Sequence, residues 1–544
     1  MQTVVMVNTL YYGDNLDVLR FSIPSESVDL IYLDPPFNSQ ATYNVLFRAA
    51  GRGSQAQIEA FKDTWHWGPE AELAFDEVMR FGNTNASELL RAIRTTMGEN
   101  DIMAYVTMMA VRILEMHRVL KATGSLYLHC DPTASHYLKL LLDAAFGVLC
   151  FRNEIIWKRT SAHSDAKTWA RVSDTIFFYT KDAGSVFTWN TPREKHDLGY
   201  LGAKYRYADK AGRVFRLDNM TSPSPRPNMT YEWRGFPPPP KGWRFSKEKM
   251  QELEDAGHIY YPLNTDGSMN IKQRPQIRRY LDEMGGGGVM GNVWTDISPI
   301  NSQARERLGY PTQKPLALLD RIISASSNPG DVVLDPFCGC GTSIHSAEKL
   351  GRQWIGVDVT HLAISLIEHR LRNAFPGIGF SVHGTPKDMD GARDLAVRDK
   401  YQFQWWAVSL IDAQPFGGKK KGADGGIDGL IYFRPDAKTI ERAIVSVKGG
   451  GVSVPMIRDL KGVLEREQAP IGVFLTLEPP TRPMEVEAAS AGFYTLGDRQ
   501  YQRLQILTVA QALSGLKPAI PLVDTGAAFK RAPREVASQP KLKF

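Results

Sequence analysis

At residues 332–359 the chain reads VVLDPFCGCGTSIHSAEKLGRQWIGVDV, which contains the parts of one βαβ unit in order. An apolar run, a predicted strand, ends at Asp335, and a loop with glycines at 339 and 341 leads into a helix predicted over residues 342–350. A second predicted strand ends at Asp358. This order of elements predicts an α/β fold with a doubly wound, mostly parallel sheet.

The glycine loop and the second acid indicate a nucleoside cofactor. Gly339 and Gly341 let the backbone pass close to a ligand, and Asp358 can accept hydrogen bonds from both hydroxyls of a ribose. A dinucleotide fold would have a third glycine at position 344, where this chain has Ile344. The loop also lacks the Gly-Lys-Ser/Thr of a triphosphate site. On these residues alone the nature of the nucleoside stays open.

Strands and helices alternate nearer the N-terminus as well. VDLIYLD (28–34) and GSLYLHC (124–130) are predicted strands, and the stretches at 104–120 and 135–147 are predicted helices. The alternation stops in an irregular, Arg-, Lys- and aromatic-rich stretch, which we interpret as an insert. The predicted domains are a catalytic half (1–190), the insert (191–300), a cofactor half (301–395), a smaller α/β domain (396–520) and a basic disordered tail (521–544).

Composition excludes several classes of protein. A chain of 544 residues with 43% hydrophobic and 23% charged residues is a folded, multidomain globular protein. Its four cysteines are too few for a disulfide scaffold, and one Cys-x-Cys without further ligands makes structural zinc improbable. The N-terminus has no basic signal region and no apolar run is long enough for a membrane span, so we expect a cytoplasmic, nucleoid-associated protein.

Two motifs together resemble a known family. Asp34-Pro35-Pro36-Phe37, at the end of a predicted strand, and Phe337-x-Gly339-x-Gly341 are similar to the motifs of amino-group DNA methyltransferases, which act on adenine N6 or cytosine N4. Because the tetrapeptide precedes the glycine loop and the insert lies between them, the order resembles the beta group. The resemblance implies S-adenosylmethionine as cofactor. It implies a catalytic role for Asp34, Pro35, Pro36 and Phe37, and a cofactor role for Asp335, Phe337, Gly339, Gly341 and Asp358.

Two further segments extend the resemblance over about residues 5–385. YPTQKPLALLDRII (310–323) resembles the family segment that helps to hold the methionine end of the cofactor, which implies Thr312 and Lys314. YYGDNLDVL (11–19) resembles the Gly-Asp element near the cofactor adenine, which implies Asp14.

The tetrapeptide has a chemical rationale. A nucleobase amino group is a poor nucleophile because its lone pair is delocalised into the ring. The Asp34 carboxylate and the Pro35 carbonyl can accept its two N–H bonds and localise the lone pair, and the prolines hold these acceptors in place. Phe37 would stack on a base rotated out of the duplex.

The methylated atom is left open by these motifs. Carbon-5 cytosine methylation needs a cysteine that follows a proline, and none of the four cysteines does. In the family, cytosine-N4 enzymes usually begin the tetrapeptide with Ser, so Asp34 favours adenine N6 over cytosine N4. An RNA or protein-glutamine methyltransferase is a further alternative, which the basic, aromatic insert disfavours.

The insert indicates the partner. Arg, Lys, Tyr and Trp interleave in YRYADKAGRVFR (205–216) and YEWRGFPPPPKGWRF (231–245), and these side chains can bind phosphates and stack on bases. We therefore expect double-stranded DNA as the partner and no membrane. A homodimer and a separate restriction subunit stay open.

A different motif occurs in the last α/β segment. GADGGIDGLIYF (422–433) and AIVSVKGG (443–450) are two predicted strands that resemble Mrr-type restriction endonucleases. In that family an Asp, then Glu or Gln-x-Lys, bind a metal, which implies Asp428 and Lys448 with Mg²⁺. Ser446 stands where the second acid or amide is expected, and Gln404 where a helical glutamate is expected. We predict DNA contact or docking rather than cleavage, and a fused restriction and modification enzyme is the alternative.

Overall fold

The computed structural model describes residues 8–36, 42–48, 55–62, 66–161, 168–194, 198–283, 288–301, 304, 306–308, 310, 312–416, 425–433, 435, 439 and 441–521. Phe37 of the predicted catalytic tetrapeptide and residues 522–544 of the predicted basic tail lie outside these residues. Within the described ranges, none of the helices has both the length and the apolar character needed to cross a membrane.

The strands of the described residues are numbered in chain order. They are β1 (Thr9–Tyr12), β2 (Val28–Leu33), β3 (Thr42–Arg48), β4 (Gln55–Lys62), β5 (Leu120–Cys130), β6 (Phe151–Lys158), β7 (Ser173–Thr180), β8 (Arg193–Glu194), β9 (Tyr207–Ala208), β10 (Val214–Asn219), β11 (Ile259–Tyr260), β12 (Gln276–Tyr280), β13 (Gly288–Val289), β14 (Val293–Trp294), β15 (Val332–Asp335), β16 (Gln353–Asp358), β17 (Ser381–His383), β18 (Gln414–Pro415), β19 (Gly429–Phe433), β20 (Glu441–Lys448), β21 (Ile471–Thr476), β22 (Phe493–Leu496), β23 (Arg499–Gln502) and β24 (Leu504–Thr508).

The α-helices follow in the same order. They are α1 (Asn15–Ser22), α2 (Pro69–Arg80), α3 (Thr84–Met97), α4 (Asp101–Val119), α5 (Ser135–Phe146), α6 (Leu198–Lys204), α7 (Lys247–Asp255), α8 (Leu316–Ser326), α9 (Thr342–Lys349), α10 (His361–Ala374), α11 (Met389–Arg398), α12 (Lys400–Leu410), α13 (Val454–Arg466), α14 (Arg482–Ala489) and α15 (Val509–Leu513).

One large sheet contains strands from both the predicted catalytic half and the predicted cofactor half of the chain. Its strand order is β14-β6-β7-β5-β2-β15-β16-β1-β17. Strand β7 is antiparallel to β5 and β6, and the other neighbouring pairs are parallel. Apolar residues of α4 and α5 pack in one core and those of α8, α9 and α10 in another. The predicted doubly wound, mostly parallel α/β sheet is confirmed.

Three predicted site strands lie side by side at the centre of this sheet. β15 lies between β2 and β16, with Leu334 opposite Ile31 and Asp335 opposite Gly356. All three strands run in the same direction, so their carboxyl ends meet at one edge. Ligands of open α/β sheets bind at this edge. The register therefore brings the ends of the tetrapeptide strand and of both cofactor strands together.

Residues Thr191–Gly291 form a compact unit of their own. The unit contains an antiparallel sheet in the order β11-β12-β10-β9 and a small core around Trp243 and Phe236. It ends at Gly291, whereas the sequence predicts an insert that extends to residue 300. The reason is that β14 pairs in parallel with β6, which places the residues after Gly291 in the large sheet.

The C-terminal α/β segment has a five-stranded sheet in the order β18-β19-β20-β21-β24. The two strands predicted from its motif are β19, which follows Asp428, and β20, which ends at Lys448. They pair antiparallel, and β20, β21 and β24 are parallel.

Helix α12 connects this segment to the large sheet. Trp405 packs with Tyr310 and Leu362 beside the glycine loop. The His361 N–H donates to the Gln402 Oε1 at 3.2 Å, while Trp406, on another side of the helix, packs in the core of the C-terminal sheet.

Candidate active site

A cavity of about 380 Å³ lies at the carboxyl edge of the large sheet. It brings together most of the residues that the sequence predicts for catalysis and cofactor binding. These lining residues are Asp14, Asp34, Pro35, Pro36, Thr312, Lys314, Asp335, Phe337, Gly339 and Asp358. Gly341 is not among the lining residues and lies one position before α9, as its N-cap. Phe37 is outside the described residues.

The glycine loop is tight at both of its predicted glycines. Gly339 and Gly341 have φ values of 49° and 71°, in the left-handed region that favours glycine. A Cβ at Gly339 would lie 3.3 Å from the Tyr310 ring, and one at Gly341 would lie 2.7 Å from the Ile367 side chain. Side chains at either position would therefore push the loop away from its neighbours and distort the cavity wall.

Asp335 is a buried structural acid of this loop. Its Oδ1 accepts from the Phe337 N–H at 3.0 Å, and the Ser343 hydroxyl donates to Oδ2. Burial raises the pKa of Asp335 to about 7, and these two hydrogen bonds oppose the increase. Asp335 therefore fixes the path of the chain between β15 and α9.

Asp358 lies at the opposite side of the loop, at the end of β16. The Gly339 N–H donates to its Oδ2 at 3.0 Å, and the N–H and hydroxyl of Thr360 each donate to Oδ1 at 2.8 Å. Burial raises the pKa of Asp358 to about 6. A carboxylate has about four acceptor positions, so one stays available to a ligand, and a second becomes available when the Thr360 hydroxyl rotates away.

Asp34 pairs with Lys314 across the cavity. The Lys314 Nζ donates to the Asp34 Oδ2, and both side chains are largely buried, with exposures of 11% for the lysine and 17% for the aspartate. The Asp34 Oδ1 is buried and has no hydrogen-bond partner among the described residues. A buried acceptor without a donor costs free energy, so a hydrogen bond from a ligand N–H or O–H to this oxygen would be favourable.

The segment that carries Lys314 is strained. Thr312 has a φ of 61°, which is rare for a β-branched residue. Gln313 holds the neighbouring chain, because its Oε1 accepts from the Leu308 N–H at 2.8 Å and its Nε2 donates to the Glu306 carbonyl at 2.6 Å. Backbone strain of this kind is retained where the surroundings impose it, commonly at ligand sites.

Sequence reasoning missed a buried network beneath Asp14. Arg112, in α4, donates from Nη2 to the Asp14 Oδ1 at 2.9 Å and from Nε to the Asn15 Oδ1 at 2.6 Å. The Asn15 Nδ2 then donates to the Pro336 carbonyl at 2.8 Å. Burial lowers the pKa of Arg112, and Asp14 opposes that change. The signal in the sequence is one arginine inside the apolar run MMAVRILEM (108–116).

The nuclease-like motif of the C-terminal sheet has a different character. Asp428 is buried, and its Oδ2 accepts from the Val447 N–H at 2.7 Å and from the Ser446 hydroxyl at 3.4 Å. Lys448, the last residue of β20, follows Ser446 by two positions in the sequence. Among the described residues no group of three His, Cys, Asp or Glu side chains could hold a metal ion. One carboxylate with an engaged oxygen and a neutral hydroxyl is a poor donor set for Mg²⁺.

Comparison with known protein families gives two matches. Residues 28–369 match the N6/N4 family model described as DNA methylase. Residues 398–501 match the Mrr catalytic family model described as restriction endonuclease.

Individual relatives cover the larger of these regions. The type II methyltransferase M.EcaI of Enterobacter cloacae is 30% identical over 372 residues, which are 68% of this chain and 70% of that protein. The DNA adenine methyltransferase YhdJ of Escherichia coli K12 is 26% identical over 364 residues, which are 67% of this chain and 82% of that protein. A Thermus thermophilus DNA modification methylase complexed with S-adenosyl-L-methionine is 16% identical, covers 69% of this chain and 98% of that one, and has a TM-score of 0.33.

Proposed function

Because the chain belongs to the DNA methylases that act on adenine N6 or cytosine N4, we propose that it methylates the N6 atom of adenine in double-stranded DNA. The family predicted from the sequence is confirmed, as is a C-terminal domain of the Mrr restriction endonuclease family. Membership in this family makes the chain a DNA methyltransferase that depends on S-adenosylmethionine.

The observation that carries the proposal is the free oxygen of Asp34. Asp34 lines the cavity, where Lys314 holds its Oδ2, and its buried Oδ1 lacks a donor among the described residues. We propose that Oδ1 accepts one N–H of the target amino group and that the Pro35 carbonyl accepts the other. Both acceptors then draw the nitrogen lone pair out of conjugation with the ring. Fixed acceptors of this kind need no reorganisation during the reaction.

The cavity residues fit the methyl donor. We propose that Asp358 accepts from a ribose hydroxyl, that the glycine loop passes close to the nucleoside, and that Asp14 lies near its adenine. Thr312 is proposed to contact its methionine end, and Phe37 to stack on the flipped base. When bound, S-adenosylmethionine supplies an electrophilic methyl group. Lys314 lies against Asp34, so we propose that it orients the catalytic carboxylate.

Adenine is favoured over cytosine by the first residue of the tetrapeptide, through the family resemblance. The purified protein, unmodified DNA and methyl-labelled cofactor should give label in N6-methyladenine after digestion to nucleosides. Label only in N4-methylcytosine would contradict the adenine proposal while leaving the family intact. Competition by unlabelled RNA should be much weaker than competition by unlabelled duplex DNA.

We infer that the C-terminal domain contacts DNA without cutting it. The donor set of Asp428 and Ser446 does not fit Mg²⁺, since one carboxylate oxygen already accepts a backbone N–H and the hydroxyl carries no charge. A fused restriction and modification enzyme, a homodimer and a restriction subunit stay open, and the cytoplasmic location stays a prediction from sequence.

Unmethylated DNA should therefore stay intact with Mg²⁺ or Mn²⁺, with and without S-adenosylmethionine. The Asp428→Ala/Lys448→Ala double variant should leave the DNA equally intact. Ser446→Glu, which adds a second carboxylate, should bind Mn²⁺ more tightly than the wild type in a calorimetric titration. Metal-dependent cutting by the wild type that the double variant loses would make the chain a fused restriction and modification enzyme.

A further inference from the structure

A chain of buried polar side chains runs from the reaction cavity toward the protein surface. Tyr32 lines the cavity, and its hydroxyl lies 2.9 Å from the Nδ1 of His129. The Nε2 of His129 lies 3.2 Å from the Asp174 Oδ2, and the Arg159 Nε lies 3.1 Å from the Asp174 Oδ1. Tyr32, His129 and Asp174 are almost completely buried, while the Arg159 side chain is 45% exposed.

The direction of these hydrogen bonds follows from the charge on Asp174. Burial raises the pKa of Asp174, but the hydrogen bond from His129 and the positive charges of Arg159 and Lys314 lower it overall, so the carboxylate is ionised and accepts. The His129 Nε2 must therefore carry the proton and donate it to Asp174. In the neutral imidazole the Nδ1 is then the acceptor, and Tyr32 donates its O–H to it. The lone pairs of the Tyr32 oxygen are consequently not used by His129.

The fold places this oxygen beside the catalytic acceptor. Tyr32 and Asp34 are two positions apart at the end of β2, so their side chains are on the same face of the sheet. Asp34 and Asp335 both act electrostatically on the Tyr32 hydroxyl. His129 is held in β5, and the Trp157 ring packs against its edge with ring centroids 5.8 Å apart. The cluster is thus packed between strands of the large sheet, with Tyr32 at the cavity.

Methylation of an amino group releases one proton, whether the acceptor is adenine or cytosine. The nitrogen lone pair forms the N–C bond, and the S–C bond breaks with its electron pair staying on sulfur. An N–H bond then breaks with its pair staying on nitrogen. The proposed geometry uses the Asp34 Oδ2 for Lys314, and the Asp34 Oδ1 and the Pro35 carbonyl to hold the two N–H bonds. The proton that leaves is passed from there to a further acceptor.

We propose that Tyr32, His129 and Asp174 act together as the base that takes this proton. After methyl transfer, the N–H proton held by the Asp34 Oδ1 moves to the Tyr32 oxygen, and the Tyr32 proton moves to the Nδ1 of His129. The resulting imidazolium is stabilised by the Asp174 carboxylate, by the same logic as a serine-protease triad. Tyr32 is the catalytic residue, and His129 and Asp174 are positioning residues that act through it. The inference requires amino methylation but not a choice between adenine and cytosine.

A first experiment separates this role from simple packing. His129→Ala should lower the single-turnover rate of methyl transfer about tenfold, less than a general base usually contributes because cavity water can substitute. Added imidazole should restore the rate, since it can accept from Tyr32 and donate to Asp174. Added 1-methylimidazole fills the same space but has no N–H to donate, and should restore little. Equal rescue by both compounds would overturn the proposal.

Tyr32→Phe provides a variant that keeps the packing. Its single-turnover rate should fall by a similar factor, with cofactor affinity measured by calorimetry unchanged. In wild-type protein, ¹⁵N-histidine NMR should show an unprotonated Nδ1 and a protonated Nε2 for His129, assigned by loss of the signals in His129→Gln. The Nδ1 signal should move in Tyr32→Phe. A wild-type rate in Tyr32→Phe would also refute the proposal, as would a protonated Nδ1 in the resting enzyme. An inactive wild type would instead contradict the proposed methyltransferase activity.

Discussion

Asp34→Asn is expected to lower the single-turnover rate of methyl transfer on the order of a thousandfold. The amide cannot serve as the ionised acceptor for the target amino group, and its NH₂ would face either Lys314 or the base. Cofactor affinity should stay within a few-fold, because Asp34 is at the acceptor side of the cavity and the glycine loop is untouched. The measurement is rapid-quench transfer of labelled methyl groups with enzyme in excess over DNA, beside calorimetric titration of the cofactor.

The matched control is Asp320→Asn in α8. The Asp320 carboxylate pairs with Lys349 and accepts from the Ser346 hydroxyl, away from the cavity. It is therefore expected to keep the wild-type methylation rate. Full activity of Asp34→Asn would show that the free carboxylate oxygen is not the acceptor on which the mechanism depends.

Asp358→Ala is expected to weaken S-adenosylmethionine binding on the order of a hundredfold. The substitution removes an acceptor of a charged hydrogen bond to the ribose, which contributes about 1.5–3 kcal/mol. It also leaves the Gly339 N–H and the Thr360 hydroxyl without their partner, so the loop that contacts the nucleoside loses its anchor. The affinity is measured by calorimetry, and the methylation rate at saturating cofactor should be less affected.

The same carboxylate gives the binding a pH dependence. Burial raises the pKa of Asp358 to about 6 in the ligand-free protein, and the ionised form accepts much stronger hydrogen bonds from ribose hydroxyls than the protonated form does. Wild-type affinity should therefore be constant above pH 7 and decrease as the pH falls through about 6. In Asp358→Asn this component should disappear, and in the control Asp331→Asn, whose acid precedes β15 at the amino edge, it should persist. The same pH dependence in Asp358→Asn and the wild type would exclude Asp358 as its source.

The parts of the site that lie at strand ends could be predicted from the sequence. Asp34, Asp335 and Asp358 each end a recognisable apolar run, and a parallel sheet brings such ends to one edge. The glycines between the runs that end at Asp335 and Asp358 predicted the loop. Close packing against Tyr310 and Ile367 excludes larger side chains there. These signals depend only on residues that are close together in the chain, so they can be recognised in a single sequence.

The pairings across the cavity could not be predicted. Lys314 and Asp34 are 280 positions apart, and Arg112 reaches Asn15 over 97 positions. Such contacts depend on the three-dimensional placement of helices, which periodicity does not specify. The role of His129 could not be predicted for the same reason, since within GSLYLHC (124–130) it is one more residue of an apolar strand. Its polar neighbours come from other strands of the sheet.

Helix α12 has a consequence for how such proteins can be assembled by recombination. Its Trp405 completes the wall around Tyr310, while Phe403 and Trp406 belong to the core of the C-terminal sheet. The two family matches meet between residues 369 and 398. This boundary separates two protein families, but it does not separate two independently stable parts of the structure. A gene fusion that exchanged the C-terminal domain at that boundary would remove the packing of Trp405 against Tyr310 on the cofactor side. A viable exchange must therefore bring a helix whose side chains already fit the methylase that receives it.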